Sequence, residues 1–212
     1  MLTASPKAVR GVVDIWVGAC YVHQKYIGGG NCVRPKSNLY PMTVTAVIAA
    51  IMAVISPFAL FLGPIPVSFC TLLVCLNVYV LGWRRGTAAT LIYILMGAVG
   101  MPVFGGFSGG AGTLLGPTGG YILGYLALSV ITGLSVELFP HKRGVHILGM
   151  VLGTVVLYGF GTTWYCIQAG QSLNAAVSVC VLPFVPGDCG KILAAGVMGP
   201  ILRERLAKAG LI

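Results

Sequence analysis

The sequence has 212 residues, of which 57% are hydrophobic and only 8% are charged, and its formal net charge is +9. A mean hydropathy of +0.94 excludes a water-soluble globular domain and predicts one compact helical domain within a membrane. Membrane topology and attraction to anionic lipid headgroups account for the excess of basic residues, so nucleic acid is not expected as a partner.

Residues 1–38 form an amino-terminal extension that precedes the predicted membrane domain, residues 39–212. The extension contains Gly28-Gly29-Gly30 and no sustained apolar run, and no cleavable signal peptide is apparent in it. We therefore expect a disordered segment or a mis-assigned start, with Met42 as the alternative first residue because it stands at the entrance of the first apolar run.

Apolar runs separated by Gly, Pro and charged clusters predict an all-α integral membrane protein with six transmembrane helices. The six predicted spans are Tyr40–Leu62, Val67–Leu81, Gly86–Met101, Gly119–Phe139, Val145–Gln168 and Gly187–Lys208. The second and third spans are short, so a five-span arrangement is the alternative.

The positions of Lys and Arg favour an even number of spans. All of the 13 basic residues except Lys191 lie before span one, between spans two and three, between spans four and five, or at the end of span six. The opposite loops, residues 63–66, 102–118 and 169–186, contain no Lys or Arg. The positive-inside rule then places both termini in the cytoplasm, as expected for a bacterial inner-membrane protein.

A Gly-rich external loop, residues 102–118, joins spans three and four. Its glycine density predicts turns with positive φ and close approach of the backbone to other groups. Non-helical backbone at membrane depth is tolerated where it is buried in protein or lines a cavity. The loop is thus a candidate cap over a ligand, and an ordinary external loop is the alternative.

The seven cysteines form no C-x-x-C pair and show no spacing with His that indicates zinc. Neither a metal site nor a disulfide framework is expected. Buried cysteine commonly acts as a small hydrophobic residue, and we expect that role here.

Asp188 and Lys191 are the candidate site that the charge pattern selects. A charge near the bilayer centre costs at least about 2.5 to 3.5 kcal/mol, so such residues usually face a cavity or a partner. Their spacing of three residues puts both side chains on one helix face. Two structural alternatives stay open: Asp188 caps the helix that follows Pro186 and Gly187, or Asp188 serves only to neutralise Lys191, a cation that opposes the helix dipole.

Four motifs carry a resemblance to a known family. In chain order they are Pro64-Ile65-Pro66-Val67-Ser68-Phe69, Gly116-Pro117-Thr118-Gly119-Gly120-Tyr121, Thr163-Trp164, and Pro183-Phe184-Val185-Pro186-Gly187-Asp188 with Lys191. From about Tyr40 to its end the chain resembles the BioY family, the biotin-binding substrate-capture components of energy-coupling-factor transporters. Cys70 departs from the glutamine of many relatives, so a polar contact near span two is expected to be missing or replaced.

The resemblance implies a high-affinity biotin-binding membrane component that captures its ligand from the outer side and has no catalytic activity or cofactor. Lys191 would receive the ligand carboxylate, while Asp188 accepts hydrogen bonds from the ureido N–H groups. The expected ligand-binding residues are Asp188, Lys191, Gly119, Gly120, Tyr121 and Trp164, with Tyr125 as a further neighbour of the rings. For the aromatic residues, anchoring at the membrane interface or helix packing is the alternative.

Span one predicts a partner surface. Ala46 and Ala50, and likewise Ala49 and Ala53, have the small-x-x-x-small spacing that lets helix backbones approach closely. The resemblance implies docking on a transmembrane scaffold with ATPase subunits; internal packing and a homo-oligomer are the alternatives. The sequence has no G-x-x-x-x-G-K-[ST] motif, so energy would come from those partners.

Two other functions compete with biotin capture. The first is capture or transport of another small vitamin or carboxylate. The second, more remote, is an intramembrane serine protease, because Gly106-Phe107-Ser108-Gly109-Gly110 matches G-x-S-x-G. A serine nucleophile needs a nearby base, yet His23, His141 and His146 all lie on the predicted cytoplasmic side, away from Ser108.

Overall fold

A computed structural model describes residues 39–61, 66–140 and 142–208. The elements of this part of the chain are α1 (Leu39–Ile55), β1 (Ala59–Phe61), β2 (Pro66–Ser68), α2 (Cys70–Ala98), α3 (Ala111–Leu115), α4 (Gly119–Leu138), α5 (Arg143–Ala169), α6 (Leu173–Cys180) and α7 (Val185–Lys208). The prediction of a disordered amino-terminal extension concerns residues 1–38, which lie outside the described residues.

The helices form a multi-pass membrane protein. Among the described residues, α4 and α5 are long and apolar enough to cross a bilayer, and α6 with α7, bent by 53°, counts as a third candidate if it is one span. Apolar side chains such as Val155 and Phe160 on α5 and Val197 on α7 are exposed on the surface of the protein. Such side chains are unfavourable in water and favourable in contact with lipid. The ends of α4 and α5 lie within two residues of predicted spans four and five.

Helix α2 covers the second and third predicted spans and reverses direction at Gly82. This residue has φ 78° and ψ 176°, a conformation that glycine adopts without steric cost. Asn77 Nδ2 donates to the Gly86 carbonyl at 2.8 Å, and a Cβ at Gly86 would lie 2.7 Å from Val78 Cα. Positions 78 and 86 of an uninterrupted helix are about 12 Å apart. The two arms of α2, residues 70–81 and 83–98, therefore pack side by side as a hairpin.

The first predicted span is shorter than expected, and the chain is not purely helical. Helix α1 ends at Ile55 and not at Leu62, since Pro57 lacks the backbone donor that would continue it. Strands β1 and β2 then pair in antiparallel register, with Ala59 opposite Ser68. This short pair places Ser68 just ahead of α2.

Helices α4 and α5 pack closely because glycines accept larger side chains across their interface. A Cβ at Gly124 would lie 2.7 Å from Leu157 Cδ1, and one at Gly153 would lie equally close to Leu128 Cδ1. The ring of Tyr121 likewise lies against Gly161. Such contacts bring the two backbones near each other and fix their register.

The Gly-rich loop packs against its neighbours. Phe104 pairs with Ser108 in an isolated bridge, and its ring meets that of Tyr93 edge-on at a centroid distance of 5.7 Å. At the far end of the loop, Trp164 Nε1 on α5 donates to the Gly116 carbonyl at 3.0 Å. Positive φ occurs within the loop, for example at Gly106, as the glycine density predicts.

Candidate ligand site

Asp188 and Lys191 form an ion pair near the start of α7. Lys191 Nζ lies 2.8 Å from Asp188 Oδ1, and only 7% of the Asp188 side chain and 13% of the Lys191 side chain are exposed. Lys191 Nζ also donates to the Ser68 carbonyl at 2.9 Å. Helix α7 begins at Val185, and the Asp188 N–H bonds to the Phe184 carbonyl at 2.9 Å. Asp188 therefore lies inside the helix, and the capping alternative is wrong.

The second carboxylate oxygen of Asp188 binds a residue that the sequence did not single out. The Tyr158 hydroxyl on α5 donates to Asp188 Oδ2 at 2.5 Å. Tyrosine commonly anchors membrane helices at the interface, so the sequence alone does not mark Tyr158 as a partner of Asp188. The packing of α5 near α7 brings the two residues together.

A small cavity lies beside these three side chains. Among the described residues its lining consists of Ser68, Thr71, Tyr121, Tyr125, Leu157, Tyr158, Cys180, Phe184, Asp188 and Lys191. The combination of aromatic and apolar walls with a few converging polar groups is typical of small-molecule sites. The cavity volume is about 30 Å³, room for roughly one or two water molecules. A larger ligand requires the walls to move apart.

The other predicted ligand residues divide into two groups. Tyr121 lines the cavity, and its hydroxyl lies 3.0 Å from Thr162 Oγ1; Tyr125 lines it as well. Gly119, Gly120 and Trp164 are absent from the described lining. Gly120 lies directly against Trp164, so these two residues shape the α4–α5 interface that carries Tyr121.

Cys70, the first residue of α2, is fully buried. Its backbone N–H donates to Ser68 Oγ at 3.3 Å, and its side chain is not part of the described lining. Ser68 and Thr71 provide the polar groups at this side of the cavity. Two hydroxyl groups therefore lie near the position where a polar contact is expected to be missing or replaced.

The Gly-rich loop contributes no residue to the described lining of the cavity. The cavity is lined instead by Cys180 at the end of α6, by Phe184 in the turn that follows, and by Ser68 of β2. The loop contacts α5 instead: Trp164 on α5 donates to the Gly116 carbonyl of the loop and packs on Gly120 of α4.

The geometry around Ser108 does not support nucleophilic catalysis by the histidine that the structure describes. Ser108 Oγ donates to the Gly105 carbonyl at 3.0 Å. His146 is buried, with Nδ1 2.7 Å from the Tyr79 hydroxyl and Nε2 2.8 Å from the Phe139 carbonyl. It lies near the start of α5, roughly 27 Å along the helix from Trp164, whose indole contacts the Gly-rich loop.

The four alanines of α1 face two directions. Ala49 and Ala53 are buried within the protein, so this pair serves internal packing. Ala46 and Ala50 are exposed and remain available to a partner or to lipid.

The fold and the site together define a helical membrane protein with a small cavity beside a buried ion pair. The fold matches that of "the S-component for biotin from an ECF-type ABC transporter", with a TM-score of 0.73 and 22% identity over 82% of this chain and 95% of that chain. The BioY family profile matches residues 33–208, and the chain belongs to the BioY family.

Curated relatives agree with this assignment over most of their length. The chain is 36% identical to the "Probable biotin transporter BioY" of Pyrococcus horikoshii, over 78% of this chain and 94% of the relative. It is 33% identical to the "Biotin transporter BioY" of Thermotoga maritima, over 74% of this chain and 92% of the relative.

Proposed function

We propose that this chain captures biotin from the outer side of a bacterial inner membrane, as the non-enzymatic binding component of an energy-coupling-factor transporter. The observation that carries the proposal is the buried Asp188–Lys191 pair at a cavity with aromatic walls. The names of the family relatives support biotin as the ligand.

The spacing of the pair favours a different ligand orientation from the one that the sequence predicts. Asp188 Oδ1 and Lys191 Nζ are 2.8 Å apart, whereas the biotin carboxylate stands at the far end of an alkyl chain from the ureido ring. One compact group should therefore engage both residues. A ureido group presents N–H donors beside a carbonyl acceptor, so Asp188 accepts from N–H and Lys191 donates to the carbonyl.

Equilibrium binding to the purified chain tests this orientation. Lys191→Ala should weaken binding of biotin and of biotin amide equally, by about tenfold or more, because both ligands keep the ureido carbonyl. Lys208→Ala is the matched control, since Lys208 pairs with Glu204 on the exposed end of α7. If Lys191→Ala weakened binding of free biotin but not of biotin amide, Lys191 would instead bind the ligand carboxylate.

Competition with other vitamins separates biotin from the rival ligands. Unlabelled biotin should displace labelled biotin, whereas thiamine, riboflavin and lipoate should not. Lipoate is the sharpest competitor, because it shares an acidic alkyl tail with biotin and lacks the ureido group. Displacement by lipoate would show that the acid end dominates recognition.

We further propose six membrane crossings: α1, the two arms of α2, α4, α5, and α6 with α7. The exposed face of α1 at Ala46 and Ala50 would dock on a transmembrane scaffold with its ATPase subunits. Ala50→Leu should then leave biotin binding by the isolated chain unchanged and reduce biotin uptake by cells that contain the scaffold. Unchanged uptake would exclude this face as the docking surface, with a homo-oligomer interface elsewhere as the alternative.

A further inference from the structure

The hydrogen bond between Tyr158 and Asp188 connects two different helices. Tyr158 lies on α5, and its hydroxyl is 2.5 Å from Asp188 Oδ2 on α7. Both side chains line the cavity. The neighbouring residue Leu157 packs into the space at Gly124, which fixes the register of α5 against α4. The position of the Tyr158 hydroxyl is therefore set by the α4–α5 interface.

The two bonds to Asp188 leave a defined set of free acceptor positions. Lys191 occupies one position on Oδ1, and Tyr158 occupies one on Oδ2. Each carboxylate oxygen can accept two hydrogen bonds, so one position on each oxygen is not used by the residues that the structure describes. Donors on both sides hold the plane of the carboxylate, and the remaining positions are available to N–H groups of a ligand in the cavity.

We infer that Tyr158 is a positioning residue for ligand recognition: its hydroxyl orients the Asp188 carboxylate toward the N–H donors of the ligand. This inference rests on the proposed function, because it assigns the binding of those donors to Asp188. Without the Tyr158 hydroxyl, the carboxylate would be held by Lys191 alone and could rotate away from the ligand.

A double-mutant cycle on biotin affinity tests the inference. Tyr158→Phe removes only the hydroxyl and should weaken biotin binding by about tenfold. In an Asp188→Ala background, which removes the acceptor of the Tyr158 hydroxyl, the same change should have little further effect, since two residues that act through one interaction are not additive. Equal costs of Tyr158→Phe in both backgrounds would overturn the inference.

Tyr121→Phe is the matched control for the cycle. Tyr121 lines the same cavity, but its hydroxyl bonds to Thr162 and not to Asp188. Its cost should add to that of Asp188→Ala, which distinguishes positioning of Asp188 from a general disturbance of the cavity wall.

Thermal unfolding without ligand separates failure of this inference from failure of the proposed function. The cycle compares the unchanged chain, the two single variants at positions 158 and 188, and the double variant. The changes in their unfolding temperatures should also be non-additive, because the contact exists before a ligand binds. Non-additive unfolding in a chain that binds no biotin would support the contact and refute biotin as the ligand. Additive unfolding temperatures would overturn the contact itself.

Discussion

At the scale of single residues, a large contribution to stability is not expected from the Asp188–Lys191 pair. Replacing a buried ion pair by apolar residues of similar volume is often neutral or stabilising, because removal of two charges from water offsets their attraction. Both side chains are largely buried here, and Tyr158 and Ser68 supply further hydrogen bonds. These hydrogen bonds fix the positions of the two charged groups beside the cavity.

Gly161 and Gly159 offer a matched test of the close approach beside Tyr121. A Cβ at Gly161 would collide with the Tyr121 ring, whereas a Cβ at Gly159 meets nothing within 4 Å. Gly161→Ala should cost about 1–3 kcal/mol through overpacking and weaken biotin binding as the ring shifts. Gly159→Ala should leave stability unchanged or raise it by up to about 1 kcal/mol, the difference in helix propensity.

Thermal unfolding and biotin binding of the two purified variants check this prediction. Equal unfolding temperatures for Gly161→Ala and Gly159→Ala would contradict the packing of Tyr121 against α5.

The sequence predicts part of the candidate site and misses another part for a physical reason. Asp188 and Lys191 stand out because charges are rare in apolar segments, and Tyr121 was indicated by its motif. Tyr158 has no such mark, since its role depends on the distance between two helices. Trp164 and Gly120 belong to a recognisable pattern, but packing of α4 on α5 accounts for them in the structure.

At the scale of elements, the α2 hairpin determines where the polar groups of its first arm lie. Asn77 contacts Gly86 of the second arm, and Thr71 at the start of the first arm lines the cavity. The second arm also carries Tyr93, which donates to the Val103 carbonyl at 3.1 Å. The hairpin thus connects the cavity to the Gly-rich loop.

Gly86→Ala distinguishes the hairpin from one continuous helix. In the hairpin a Cβ at position 86 lies 2.7 Å from Val78 Cα, and the backbone cannot yield cheaply, so the unfolding temperature should fall. In a continuous helix the change would be stabilising. Gly144→Ala on α5 is the control, because a Cβ there meets nothing within 4 Å.

Long apolar helices could be predicted from the sequence, whereas the short elements could not. The ends of α4 and α5 follow from hydropathy and from the charged connection between them. Helix α6 has only eight residues, too few to show a helical period, and Ala176 and Cys180 face inward only because α5 lies beside them. Strands β1 and β2, with three residues each, depend on mutual pairing.

At the scale of the whole molecule, the described basic residues other than Lys191 gather at one end of the helices. Tyr79 of α2 bonds to His146 of α5 at 2.7 Å and packs against Gly199 of α7. In the chain, Arg84 comes shortly after Tyr79, Arg143 shortly before His146, and Arg203 shortly after Gly199. The positive-inside rule predicts that this shared end faces the cytoplasm.

Labelling of intact cells tests that orientation. Ser172→Cys, at the exposed start of α6, should react with a membrane-impermeant maleimide added outside. Arg205→Cys, near the end of α7, should react only after the membrane is permeabilised. Peptide mapping separates these sites from the native cysteines, and the reverse pattern would invert the proposed topology.

The small volume of the cavity has a consequence for regulation. A chain that admits ligand only while its walls are apart has an apparent affinity scaled by the fraction of molecules in that open form. Any partner that changes this fraction would alter affinity without touching the ligand. By thermodynamic linkage, biotin would change the affinity for that partner by the same factor. Occupancy of the cavity would thus be reported to a partner that never touches the ligand.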